Sequence, residues 1–260
     1  MLKKVLVTGA NGQLGLTIKE LYQDNNINLE FILVSKEELD ITNKEALSEF
    51  FNSNSFDYCI NCAAYTNVEQ AEKTPEQAYQ VNSEAVKFLA NVCRLNKVVL
   101  IHVSTDYVFD GEKQEPYTVL DQTNPINEYG KSKLQGEKQI QANLDAYFIV
   151  RTSWLYSKKY GKNFYQTILK LAKKEKKLTI TTEQKGCPTN TENLAKYIIE
   201  LIVEKTNDYG LKHFCDKQVM SWFEFAKIIL EEHNFTNKIE LEGITEFKTY
   251  AKRPKYSVLL

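Results

Sequence analysis

Short apolar runs alternate with longer stretches in which apolar positions recur every three or four residues, and this alternation holds through about residue 151. Lys4 to Thr8 predicts a strand, and the pattern after it predicts a helix through Leu21. Glu30 to Val34 predicts a second strand. A third lies within Phe56 to Ala64, followed by one long amphipathic helix from Pro75 to Asn96. Val98 to Val103 reads as a buried fourth strand, a helix starts at Asn127, and Tyr147 to Arg151 forms a fifth strand. Strands and helices taking turns in this way predict an α/β fold built on a doubly wound parallel sheet.

Beyond Arg151 the order loosens. A helix from Asn163 to Lys174, a strand from Leu178 to Thr182, a turn at Gly186-Cys187-Pro188-Thr189 and a helix from Asn193 to Val203 are expected. Leu211 to Cys215, a helix from Trp222 to Glu232 and a polar tail complete the chain. The division that follows is 1–151 as one domain and 152–260 as a mixed segment that returns to the sheet and forms a small cap. A chain of 260 residues buries enough surface for this arrangement.

Candidate chemistry lies at the ends of the strands. The first strand runs directly into Gly9-Ala10-Asn11-Gly12-Gln13-Leu14-Gly15 and then a helix. Glycines there let backbone N–H groups approach a pyrophosphate at a helix N-terminus. The second strand ends in Ser35-Lys36 and not in a carboxylate, which leans toward the 2′-phosphate of NADPH over NADH. Glu37 and Glu38 follow at once, within reach of the same place. Small residues, Ala63 and Ala64, end the third strand, and Asn82 either faces the sheet or points to solvent. Asn43, or Thr42 beside it, caps the helix after Asp40-Ile41.

Thr105 and Asp106 stand where the fourth strand ends, the position at which open parallel sheets place their chemistry. Tyr129 and Lys133 are four residues apart on the following helix and so share a face. An ammonium beside a phenol favours the phenolate, so Lys133 is expected to bring Tyr129 toward working pH as a proton donor to a carbonyl oxygen held by Thr105.

Lys and Arg number 33 against 34 Asp and Glu, a net charge of −1, which gives no field for nucleic acid or an anionic membrane. No signal-peptide pattern and no run of membrane-spanning length is present, so a cytoplasmic protein is expected. The five cysteines read as reduced thiols, Cys59 and Cys62 included, because residues three apart on a strand face opposite ways. The lysines at 170, 173, 174, 176 and 177 read as a solvated helix end. No metal site is assigned.

Six stretches in the same order carry a resemblance: Thr8 to Gly15, Asn61 to Glu72, Val103 to Gly111, Tyr129 to Lys133, Arg151-Thr152-Ser153-Trp154, and Gly186 to Thr189. Together they resemble the extended short-chain dehydrogenase/reductase superfamily, with its Rossmann-like fold, and within it the dTDP-4-dehydrorhamnose reductase family. The resemblance implies that Gly9, Asn11, Gly12, Gln13, Leu14, Gly15, Ser35, Lys36, Asp40, Ile41, Ala63, Ala64, Tyr65 and Lys133 bind the dinucleotide. It implies that Thr66, Thr105, Asp106, Tyr129, Trp154 and Asn163 face a sugar nucleotide, with Thr105, Tyr129 and Lys133 catalytic. The reaction implied is NAD(P)H-dependent reduction of a 4-keto group, in a homodimer or a monomer.

Three other readings stay open. A dehydratase or epimerase of the superfamily would carry Asp-Glu after the threonine, whereas Asp106 is followed by Tyr107. A reductase of another 4-keto-6-deoxy sugar nucleotide is not separated by the sequence, while the intact Thr105, Tyr129 and Lys133 favour an enzyme over a non-catalytic dinucleotide-binding regulatory subunit. Relatives of this kind continue past the Arg253-Pro254-Lys255-Tyr256-Ser257 element into a further helix, so a shortened cap is expected here. Magnesium, used by some relatives, is not indicated.

Overall fold

The computed structural model describes residues 2–23, 27–204, 207–246 and 248–260. The chain enters as β1 (Lys3–Thr8), turns through the glycines, and continues as α1 (Gln13–Tyr22), β2 (Leu29–Val34), α2 (Lys44–Ser53) and β3 (Tyr58–Asn61). β3 is shorter than its apolar run because the Asn61 side chain takes the Ala63 N–H, which turns the chain off the ladder. Asn43 caps α2 by accepting from Ala46 N, while the Thr42 hydroxyl donates to Asp40.

Next come α3 (Val68–Lys73), α4 (Pro75–Tyr79) and α5 (Ala85–Asn96). The long helix expected from Pro75 to Asn96 is interrupted by a π turn over Gln80–Glu84. That wider turn carries Asn82 into the interior, where it accepts from Tyr65 N and donates to Tyr65 O and the Ser132 hydroxyl. Asn82 therefore fastens the loop after β3, not the next strand.

β4 (Val99–Thr105) leads to a single 3-10 turn, and α6 (Glu128–Asn143) and β5 (Tyr147–Thr152) follow. The remaining elements are β6 (Leu155–Tyr156), α7 (Phe164–Ala172), β7 (Lys177–Thr181), β8 (Lys185–Gly186), β9 (Thr189–Asn190), α8 (Thr191–Val203), β10 (Gly210–Phe214), β11 (Met220–Ser221), α9 (Trp222–Glu232) and β12 (Glu240–Ile244).

Six parallel strands form the main sheet in the order β10-β5-β4-β3-β1-β2. The order reverses between β1 and β3, and the crevice at their carboxyl ends is where such sheets bind ligands. One face is covered by α2, α5 and α6 through Leu47, Phe51, Leu89 and Ile140, the other by α1 and α8 through Leu14, Ile18, Leu194 and Ile198. β7 pairs with β12 beneath α7 and α9 to make a separate cluster around Tyr165, Ile168, Phe225 and Ile229.

The polar tail is not a tail. It contributes β12, and its last residues return to bury Val258 and Leu259 beside Phe109 and Tyr117, with Tyr117 N donating to Val258 O. Close backbone approach reserves several points for glycine, two of them beside the cleft and the π turn. Gly9 has φ +69°, and a Cβ on it would stand 2.6 Å from Ala63 N; a Cβ on Gly136 would stand 2.0 Å from Asn82 O, so α6 lies directly on the π turn.

Candidate active site

A cleft of about 700 Å³ opens along the carboxyl ends of β1, β3 and β4 and is closed on the far side by the loop before α7 and the start of α9. Its floor is the glycine turn. Gly12 stands at the N-cap of α1 with no side chain bonded to the first-turn N–H groups, and that turn carries no acidic residue. Asn11, Gly12, Gln13 and Leu14 line the cleft here, so uncapped donors and the positive end of a helix face it. A dinucleotide pyrophosphate fits this cradle.

Gln13 also ties the floor to the far wall. Its Nε2 donates to Leu155 O at 3.1 Å, and its Oε1 accepts from Asn163 Nδ2 at 3.0 Å.

The reacting end is built by β4 and α6. Asn127 caps α6 by accepting from Gly130 N at 2.7 Å, which fixes the rotation of the helix and aims Tyr129 and Lys133 at the end of β4. Thr105 is 6% exposed, and its hydroxyl donates to Asp106 Oδ1 at 3.1 Å while accepting from Tyr107 N. Tyr129 is hydrogen-bonded to the same hydroxyl. Asp106 is also bonded by the Ser153 hydroxyl at 3.0 Å and by Ser257 from the returning end of the chain. Burial raises the Asp106 carboxyl to about 6 against these three hydroxyls.

Lys133 does not act on Tyr129 as its spacing suggested. Its Nζ donates to Val103 O at 2.8 Å and lies 3.2 Å from His102 Nε2, deep against β4. Burial lowers it to about 8, opposed by the charge of Glu137. Tyr129 is held up at about 12 by its own burial, with the Thr105 hydrogen bond working the other way. The expected fall in the phenol pKa is absent because the lysine is engaged elsewhere.

Behind the site, Glu137 and Arg151 form a bidentate ion pair, with Nη2 to Oε2 at 2.7 Å and Nε to Oε1 at 3.0 Å, and the Ser104 hydroxyl donates to the same carboxylate. Both partners are buried.

At the far wall, the Trp154 indole is stacked on that of Trp222, with Phe164 4.4 Å from the latter. Trp154 takes φ +48°, a left-handed backbone rare for a bulky residue, and its ring lies where any side chain on Gly186 would be.

The cleft thus brings together Asn11, Gly12, Gln13, Leu14, Ala64, Thr66, Thr105, Asp106, Tyr129, Lys133, Trp154 and Asn163. Gly9 and Gly15 shape the turn from behind it, and Ala63 and Tyr65 are fastened by Asn61 and Asn82. Ile41 is a core side chain and stands outside the cleft, as do Ser35, Lys36 and Asp40. Glu38 does reach back, accepting from Ser35 N at 2.7 Å, and Lys36 is 3.7 Å from Asp40. Cys59 is a core thiol, but Cys62 lines the cleft, where burial pushes it up to about 12.

Lys162, Phe164 and Trp222 were not singled out by the sequence reading as site residues, and Tyr107 and Ser257 were named there without a place in the site. Trp222 left a signal there, a Ser221-x-x-Glu224 capping box that marks where its helix begins. Among the described residues, no group of three or more His, Cys, Asp or Glu side chains is placed to hold a metal ion, and no helix is long and apolar enough to cross a membrane.

The family model described as "RmlD substrate binding domain" matches residues 3–260. The chain belongs to this RmlD family. A dTDP-4-dehydrorhamnose reductase of Aggregatibacter actinomycetemcomitans is 38% identical to this RmlD-family chain over 98% of its length and 90% of the relative's. The solved dTDP-4-dehydrorhamnose reductase of Clostridium acetobutylicum is 41% identical with a TM-score of 0.93, covering 99% of this chain and 90% of its own. That of Bacillus anthracis, solved in complex with NADP, is 38% identical with a TM-score of 0.95, covering 100% and 91%. The RmlD-family likeness therefore extends over both the sheet and the cap.

Proposed function

We propose that this chain reduces the 4-keto group of dTDP-4-dehydro-β-L-rhamnose to the alcohol of dTDP-β-L-rhamnose, using a nicotinamide dinucleotide. The observation that carries the reading is the meeting of Thr105, Tyr129 and Lys133 at one end of a cleft whose floor is an uncapped glycine turn, in a chain of this family.

In this reading residues 1–151 hold the dinucleotide and the reacting groups, and residues 152–260 supply the cap. Asn11 to Leu14 bind the pyrophosphate through backbone N–H groups. The dinucleotide, when bound, supplies the hydride. Tyr129 gives its phenolic proton to the oxygen that becomes negative, and the Thr105 hydroxyl orients that oxygen. In the free site the Thr105 proton lies on Asp106, and it turns from that carboxylate to the substrate oxygen when the sugar nucleotide arrives. Lys133 holds the nicotinamide ribose. Trp154 and Asn163, with the newly found Trp222, enclose the sugar nucleotide.

Either dinucleotide is accepted in this reading. Lys36 favours a 2′-phosphate, while the Glu38 carboxylate beside Ser35 N opposes it and suits a free 2′-hydroxyl. A dehydratase is disfavoured because Tyr107, whose phenol burial holds far above neutral pH, takes the place of the second carboxylate such chemistry needs.

The test is absorbance at the reduced-nicotinamide band, with the keto sugar nucleotide generated in place by the upstream dehydratase and epimerase. Oxidation that needs both the sugar and Tyr129 is expected. Tight cofactor binding with no oxidation, together with altered activity of a partner enzyme, would overturn the reading in favour of a regulatory subunit.

A further inference from the structure

A buried chain of polar side chains crosses the sheet from the glycine turn to Lys133, and its hydrogen-bond directions can be assigned from one fixed donor. The Ala63 backbone N–H lies 3.2 Å from the Asn61 side chain. A backbone N–H only donates, so the atom facing it is the amide oxygen, Oδ1, which also accepts from the Thr8 hydroxyl at 2.7 Å. The amide nitrogen Nδ2 then faces His102 Nδ1 at 2.9 Å. That nitrogen must accept, so the single proton of the neutral imidazole sits on Nε2. Nε2–H points at Lys133 Nζ, 3.2 Å away.

An ammonium has three donors and no lone pair, so it cannot receive this bond. A neutral amine can, while still donating to Val103 O at 2.8 Å. A doubly protonated His102 is excluded because Nδ1–H would meet the Asn61 NH2, and burial holds the ring well below its ordinary pKa. The titratable and charged groups around Lys133 are Tyr129 and Glu137 on its own helix, Cys62 after β3, His102 and Asp106 on and after β4, and Arg151 on β5. Arg151 is occupied by Glu137. Burial lowers Lys133 to about 8, a shift toward the same neutral form.

Resting on the assignment of Lys133 to the reacting end, we propose that Asn61 and His102 are positioning residues that favour the neutral form of Lys133 while its amine lies against β4. Lys133 then takes up a proton from solvent when its amine leaves His102 for the cofactor ribose. Cofactor arrival and the charging of the site would thereby be one event.

The experiment is a pH titration of the Lys133 Nζ resonance in lysine-labelled protein without substrate, the signal being identified by its loss in Lys133→Met. The wild type is expected to titrate about two pH units below an ordinary lysine, near pH 10.4. Asn61→Asp still accepts from Ala63 and Thr8 but must also accept from His102, which moves the ring proton to Nδ1 and lets Nε2 accept from an ammonium. Its Lys133 should bind a proton at least about tenfold more tightly. Asn61→Leu adds no charge and frees the ring to take the same tautomer, so a several-fold rise is expected there too.

A wild-type midpoint at the ordinary lysine value overturns the proposal, as does a shift in Asn61→Asp alone, which would be a plain charge effect. Should Asn61→Leu not fold, the imidazole nitrogen shifts of His102 in the wild type decide the matter, and a proton on Nδ1 overturns it. NADP+ should then raise the Lys133 midpoint; an unmoved midpoint removes the coupling to cofactor. None of these readouts uses the sugar nucleotide, so loss of the reductase reading and loss of this one are separable.

Discussion

The carboxylate of Glu38 accepts the backbone N–H of Ser35 at 2.7 Å, and that hydrogen bond lowers its pKa. An anion is therefore already in place where β2 ends, beside the lysine that would welcome a second one. Glu38→Gln should raise the ratio of kcat/KM for NADPH over NADH by about tenfold, and Lys36→Ala should lower it by a similar factor, since each removes one unit charge from the same surroundings. Steady-state rates with both cofactors decide this, and equal effects of either substitution on both would remove the argument.

Tyr129→Phe keeps the ring that packs edge-on against Tyr107, 5.8 Å between centroids, and loses only the proton donor. Turnover should fall by about 10²–10⁴-fold with cofactor affinity unchanged. Fluorescence titration with NADPH beside the turnover assay separates the two. A variant that still turned over at the wild-type rate would end the assignment of Tyr129 as the donor.

Asp106 carries a pH signature. Its carboxyl is raised from 3.8 to about 6, so the folded state holds that proton more tightly than the unfolded chain does. The contribution is fully present below about pH 4 and is lost as pH rises through about 6, for a total on the order of 2–3 kcal/mol. Urea unfolding of the wild type and Asp106→Asn across that range should show the difference between them growing in favour of the variant as pH rises.

The buried ion pair of Glu137 and Arg151 should be intolerant of half-removal. Glu137→Ala leaves a guanidinium without its counter-charge beneath the end of β4 and should cost about 3–5 kcal/mol of stability. Chemical denaturation measures it, and a loss below about 1 kcal/mol would show that water reaches the arginine.

Trp222→Ala removes the ring on which Trp154 rests, 3.5 Å between centroids, and should raise KM for the sugar nucleotide by about tenfold with little change in cofactor affinity. Saturation curves for the two ligands check the split. A change confined to the cofactor would place Trp222 outside the substrate wall.

What could be read beforehand was whatever depends on local spacing. Strand followed at once by Gly9, Gly12 and Gly15 declares a turn against a helix end, and four residues between Tyr129 and Lys133 declare a shared face. What those two side chains do on that face was not legible, because Val103 O and His102 compete for the lysine, and both lie on a strand whose pairing the spacing does not contain. The π turn at Gln80–Glu84 was hidden because its apolar positions keep nearly helical intervals. Trp222 and Ser257 were hidden by distance along the chain: each enters the cleft through tertiary packing that only the assembled sheet and cap define. The tail misled through its polarity, since its strand pairs at the edge of the cap, where one face meets water.

Ser257 also orders events in time. The glycine turn, the end of β3 and Thr105 all leave the ribosome well before Ser257, which brings the third hydroxyl to Asp106. Until it does, a buried carboxylate lacks one of its partners and Val258 and Leu259 have not yet covered Phe109. A nascent chain can thus form its dinucleotide cradle well before its reacting end is finished, and the arrival of Ser257 separates the one from the other.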